Sequence, residues 1–247
     1  GYDLLFAALA VVAAGVAMLA ARTLPNIPPT PRPRSTLLDL ARRVTHPSFL
    51  RPVTLLALGT AALSAGVGYL PVLGARHHLT ALETGALVSL LAATTALLQP
   101  WAGKAHDRAA LPTNAAPGAL LLAASGFIVA VLFPDVLGIA LAAVVIGAGV
   151  AISTPVGFAN LAAAAPAGRM GQTMGAGEVG RELGDAGGPI LVGAFSPAGL
   201  AAGLLALAGA ISLGALTTWR RPRPYPAGVL ASGLDADLSR PPALTRE

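Results

Sequence analysis

The sequence predicts an all-α, polytopic membrane helix bundle, and three observations carry that prediction. Hydrophobic residues make up 55% of the 247-residue chain against 11% charged, and the mean hydropathy is +0.71, whereas soluble domains carry about a quarter charged residues. The apolar runs have the length of membrane helices, about 20 residues. They are rich in leucine and alanine and lack the short alternating strands of a closed barrel. The basic residues gather in every second connection between runs, as they do in chains that cross a bilayer repeatedly.

The first run, from about Leu4 to Ala21, is apolar on all sides and ends at Arg22. It lacks a basic leader and an obvious cleavage site, so a truncated chain is expected here rather than a signal peptide. Residues 22–51 then form a cytoplasmic linker. Its LPNIPPTPRPR stretch cannot continue a helix and favours an extended, solvated form. Within the linker, Ser35 or Thr36 can cap a short surface helix with Leu37, Leu38, Ala41 and Val44 on one side and Asp39, Arg42 and Arg43 on the other. An unstructured basic loop explains the same residues equally well.

Residues 52–219 are expected to hold six more crossings. They run from about Pro52 to Leu73, Thr84 to Trp101, Pro117 to Phe133, Val136 to Leu161, Gln172 to Phe195, and Ala198 to Trp219. Pro134–Asp135 and Ser196–Pro197 make the tight turns. Residues 220–247 form a basic, proline-rich tail expected to be disordered and cytoplasmic. With seven crossings, one set of connections collects Arg22, Arg32, Arg34, Arg42, Arg43, Arg51, Lys104, Arg108, Arg169 and the tail arginines, while the opposite set holds Arg76 alone. The linker and the C-terminus are therefore expected in the cytoplasm, Gly1 outside, and the protein in the plasma (inner) membrane.

The net charge of +5 follows from this topology, and no nucleic-acid partner is expected. The absence of cysteine excludes disulfides and thiolate chemistry. His77 and His78 lack a carboxylate pair on the same helix face, so no metal site is expected, and neither is a cofactor. No nucleophile and base constellation stands out, so the chain does not read as an enzyme.

One run differs from the rest. In QTMGAGEVGRELGDAGGPILVGAF, residues 172–195, a helix of about 100° per residue brings Glu178, Arg181, Glu182 and Asp185 into an arc of roughly 100°. Gly180, Gly184 and Gly188 line an adjacent, thin face that admits a neighbouring backbone. Pro189 withholds a backbone donor and Gly193 adds a further small position. Glu178 with Glu182, and Arg181 with Asp185, are i,i+4 neighbours, so the cation can offset part of the carboxylate cluster. The uncharged part, Ala186 to Phe195, is roughly ten residues, half of what a crossing needs. A crossing therefore draws the charges into the membrane zone, where each costs about 2.5–3.5 kcal/mol and ordinarily faces a polar cavity or a partner. The competing reading is a cytoplasmic amphipathic helix followed by a re-entrant stub.

Two patterns carry a resemblance. GKAHDR, with Gly103, Asp107 and Arg108 in a cytoplasmic turn, resembles the GxxxDR core of the loop signature of the major facilitator superfamily, although Ala109–Ala110–Leu111–Pro112 replace its usual continuation. GRELGDAGGPILVG, residues 180–193, is similar to the glycine and proline pattern of the penultimate helix in that superfamily. It is also loosely similar to the GxxxGPxxGG signature of drug/proton antiporters, with Val192 at a signature glycine. The resemblance implies half of a twelve-helix fold, namely the sixth to twelfth helices: 1–21 the last helix of a missing N-terminal half, and 52–219 the six-helix C-terminal half.

It further implies a secondary active transporter of a small solute working by alternating access as a proton-coupled efflux antiporter. Membrane lipid, a small-molecule substrate, protons and the missing N-terminal helices would be its partners. Glu178, Arg181, Glu182 and Asp185 are then the coupling or gating residues, and Gly180, Gly184, Gly188, Pro189 and Gly193 the packing and kink residues. Thr60, Ser64, Tyr69, Ser89, Thr94, Thr95, Ser153, Thr154 and Asn160 are polar groups able either to meet substrate or to bond to helix backbones. The alternatives are a seven-helix receptor and a bundle that transports nothing. A retinal protein is excluded, because the one lysine, Lys104, lies outside the apolar runs.

Overall fold

The computed structural model describes residues 2–23, 46–166 and 168–219. The surface helix expected at 35–44 and the tail at 220–247 lie outside those residues, as does most of the expected linker. Among the described residues there are seven long α-helices: α1 (Tyr2–Thr23), α2 (Pro47–Arg76), α3 (Ala81–Asp107), α4 (Ala115–Leu132), α5 (Val136–Ala163), α6 (Met170–Phe195) and α7 (Leu200–Thr218). No strand occurs among the described residues. The chain is an all-α membrane bundle.

The described residues fall into two units, α1 in one and α2–α7 in the other. In α1, Asp3 lies in the first turn and Arg22 in the last, each complementing the helix dipole at its end. From Asp3 to Thr23 its side chains are exposed, Ala20 alone being half-buried.

In the second unit the ends of the helices have local causes. Pro47 opens α2 behind His46, whose ring accepts the Ser48 N–H, so the helix starts before the expected Pro52. Thr80 and Glu83 form a reciprocal capping box at the start of α3. Asp135 accepts the Gly138 N–H at 2.8 Å and starts α5 in the turn expected at Pro134–Asp135. The last helix begins at Leu200 rather than the expected Ala198, because Ser196–Ala198 forms a 3₁₀ turn and Gly199, at φ +108°, breaks the helix there.

Contacts between small residues give the directions of the helices. Gly66 and Gly59 of α2 approach Ile146 and Ser153 of α5, so α2 and α5 run antiparallel. Gly180, Gly184 and Gly188 of α6 meet Val53, Ala57 and Ala61 of α2 in step, so that pair is parallel. On the other side, Thr95 of α3 meets Gly147 of α5 and Gly103 of α3 faces Pro155, which is a second parallel pair. The antiparallel α2 and α5 thus each carry a parallel companion. This is the arrangement of two three-helix units, α2–α4 and α5–α7, inverted relative to one another.

The core is built from alanine, leucine and glycine, with Phe127, Leu120, Ile139, Ile146 and Leu204 fully buried. Close van der Waals packing of small residues, rather than exclusion of water, holds helices together in lipid. By length and composition α1–α5 and α7 are each able to cross a membrane, and α6, at 26 residues, has the length without the composition.

Candidate functional site

α6 has three distinct faces. Gly177, Gly180, Gly184 and Gly188 are buried. A side chain at Gly177 would strike Leu161, at Gly184 the Ala57 carbonyl, and at Gly188 the Ala61 carbonyl. The glycines are what allow α6 to lie backbone to backbone against α2. A second face carries Val179, Leu183 and Ile190, exposed by 61%, 70% and 67%. The third carries Glu178, Arg181, Glu182 and Asp185. At 100° per residue it is centred roughly 100° from the glycine face and roughly 130° from the exposed apolar one.

On this third face the cation bridges two acids. The Arg181 Nε donates to Glu178 Oε1 at 2.8 Å and its Nη2 lies 2.6 Å from the same oxygen, while Nη2 also pairs with Glu182. The arginine side chain is 30% exposed and the two glutamates 47% and 58%. The i,i+4 pairing of Arg181 with Asp185 does not form; the guanidinium turns toward Glu178, one turn nearer the start of the helix, and to its neighbour Glu182. The Asp185 carboxylate makes no ion pair among the described residues.

The parallel register gives the cluster a height. Glu178 lies near the level of Arg51 in α2, and Asp185 near that of Leu58, because Gly180 meets Val53 and Gly184 meets Ala57. From Glu178 to Asp185 the face climbs about 10 Å at 1.5 Å per residue. In α2 no charged residue occurs between Arg51 and Arg76. The cluster therefore starts at the lower limit of the apolar part of α2 and rises beside it.

Two of the polar groups take the second of the roles open to them and bond to the backbone of α6. Ser64 of α2 donates its hydroxyl to the Asp185 carbonyl at 2.8 Å, and Tyr69 donates to the Pro189 carbonyl at 3.1 Å. Gly193 leaves room for that tyrosine, since a Cβ there would come 3.6 Å from the Tyr69 hydroxyl. Thr60, Ser89, Thr95 and Ser153 bond to carbonyls of their own helices, at Leu56, Gly85, Leu91 and Val150. Thr94, Thr154 and Asn160 make no side-chain hydrogen bond among the described residues.

The remaining positions are resolved locally. The turn expected at 103–108 is helical through Asp107, with Arg108 as its cap, and the side chains of Asp107 and Arg108 form no ion pair among the described residues. His77 and His78 close α2 rather than forming a free loop: His78 adopts φ +66° and donates its N–H to the Ala75 carbonyl at 3.2 Å. No group of three His, Asp or Glu converges as a metal site among the described residues. Sequence reasoning gave Arg169 no role beyond its charge; at the N-terminus of α6 it buries Nη1 without a hydrogen bond among the described residues. Nothing in the sequence around it signals that burial.

Comparison with known proteins adds one finding. The family model described as Major Facilitator Superfamily matches residues 1–189. No curated protein and no solved structure matches the chain.

Proposed function

Since the chain belongs to the Major Facilitator Superfamily, a family of membrane transporters, we propose that it is a secondary active transporter moving a small solute by alternating access as a proton-coupled efflux antiporter. The observation that carries this reading is the third face of α6. It holds three carboxylates and an arginine, is separate from both the packing face and the exposed apolar face, and stands beside the apolar part of α2. Charges at such a level need a water-filled passage or a polar partner. In this reading α1 takes the place of the sixth helix and α2–α7 those of the seventh to twelfth, with the N-terminal half packing across the charged face to complete the passage.

The four groups divide into two roles. Arg181 neutralises Glu178 and Glu182 near the lower end of α6, as a conformational lock that breaks and re-forms between states. Asp185 lies highest in the apolar zone and makes no contact ion pair among the described residues, Arg181 being held instead by Glu178 and Glu182, so it is the first candidate to carry a proton, with Glu182 the second. Thr94, Thr154 and Asn160 are the polar groups left to meet a solute. The segregation of basic residues supports the plasma (inner) membrane with the C-terminus in the cytoplasm.

The test uses proteoliposomes holding the chain together with its N-terminal half, an imposed pH gradient and a chemically varied panel of solutes. A solute that collapses the gradient with the native protein, but not with Asp185→Asn or Glu182→Gln, is the expected result. Gradient-driven flux that survives both substitutions contradicts proton coupling through this face.

A further inference from the structure

Pro189 lies inside α6, four residues after Asp185. An interior proline has no N–H, so the carbonyl four residues earlier loses its helical partner, and the ring crowds it. Within a membrane bundle such a carbonyl has to find a substitute donor, from a neighbouring helix, a hydroxyl side chain or an ordered water. The Ser64 hydroxyl, reaching across from α2, donates to this same Asp185 oxygen at 2.8 Å. Pro52, Pro71, Pro100 and Pro155 also lie inside helices. The carbonyls they orphan, at Ser48, Val67, Ala96 and Ala151, receive no side-chain hydrogen bond among the described residues. The compensation is therefore particular to α6.

A second bond sits on the other side of the same break. Tyr69 donates to the Pro189 carbonyl at 3.1 Å, beside Gly193. The segment between Asp185 and Pro189, where the helical ladder is interrupted, is thus held to α2 at both ends. Ser64 continues the row of small α2 residues, Ala57 and Ala61, against which the α6 glycines pack.

We propose that Ser64 is the positioning residue for the charged face: its hydroxyl replaces the backbone donor that Pro189 withholds from Asp185, and by doing so sets the angle at which the part of α6 carrying Glu178, Arg181, Glu182 and Asp185 meets the part beyond Pro189. Ser64 acts through the Asp185 backbone and hydrogen-bonds to none of the four charged side chains. Losing the hydroxyl frees the break to bend over a wider range.

Because the hydroxyl substitutes for a missing N–H, its importance depends on the proline. Restoring the N–H with Pro189→Ala makes Ser64 dispensable, and Ser64→Thr keeps the donor. Neither relation follows if Ser64 merely fills space.

The chain has no cysteine, so spin labels can be placed at Val179→Cys and Ala194→Cys, both exposed and on either side of Pro189. In a straight helix the two backbone positions are about 22 Å apart, within the range of pulsed electron resonance. With the full chain in nanodiscs, Ser64→Ala is expected to broaden the distance distribution. Ser64→Thr is expected to keep it native, and Ser64→Ala is expected to have no effect in a Pro189→Ala background. An unchanged distribution in Ser64→Ala, or the same broadening with Ala at 189, overturns the proposal. If Ser64→Ala yields too little folded protein to label, recovery of that yield by Pro189→Ala supports the proposal and failure to recover overturns it. The distance readout needs no transport, so it can fail while the transport reading stands, and the reverse.

Discussion

At the scale of single residues, two helix ends carry the wrong amino acid for their conformation. α3 closes with the N–H of Ala110 on the Ala105 carbonyl and that of Ala109 on the His106 carbonyl, both at 2.9 Å. α2 closes the same way, with Leu79 on Gly74 and His78 on Ala75. This double closure places one residue in the left-handed region, usually glycine. Here the residues are Ala109 at φ +52° and His78 at φ +66°, where a side chain costs about 1–2 kcal/mol. Ala109→Gly and His78→Gly should each raise the thermal unfolding midpoint of the protein in detergent. The net gain should be below about 1 kcal/mol, because glycine also adds freedom to the unfolded chain. An unchanged or lowered midpoint in both would mean that these ends are not strained. Neither end was legible in the sequence, since the usual marker, a glycine after the last turn, is absent from both.

At the scale of the element, α6 is defined by how its glycines differ. Gly184 and Gly188 press on the backbone of α2, whereas Gly187, between them, has open space around it. A methyl group at Gly184 or Gly188 forces the two helices apart, an overpacking cost of about 1–3 kcal/mol. At Gly187 the same methyl only improves helix propensity, by about 0.5–1 kcal/mol. Gly184→Ala is therefore expected to destabilise and Gly187→Ala to stabilise, as read from unfolding midpoints in detergent. Equal effects would mean that the glycine face is not the packing face. The spacing of Gly180, Gly184 and Gly188 made the thin side of α6 legible, and the charge pattern made its polar side legible. That α2 fills the thin side, running parallel and in step, was not legible, because periodicity along one helix carries no information about which partner approaches it. The same limit explains Ser64 and Tyr69, for which the sequence left both a substrate contact and a backbone bond open and which serve the break at Pro189.

At the scale of the whole molecule, the number of long helices was readable from the apolar runs, because a bilayer imposes a length on each crossing. α2–α7 then assemble as two inverted triplets, with α2 and α5 antiparallel at the centre and α6 and α3 as their parallel companions. In that frame the exposed surface of α6 is divided into a charged strip and an apolar strip. The central claim is that the two strips meet different surroundings: the charged strip a watery passage, the apolar strip lipid.

Single cysteines at Glu182→Cys and Asp185→Cys on the first strip, and at Leu183→Cys and Ile190→Cys on the second, test that claim directly in membranes, since the background contains no native thiol. A membrane-impermeant maleimide is predicted to label positions 182 and 185 from the aqueous phase and to leave 183 and 190 unmodified. Equal labelling of all four, as on a soluble arm, or protection of 182 and 185 while 183 and 190 react, would contradict it.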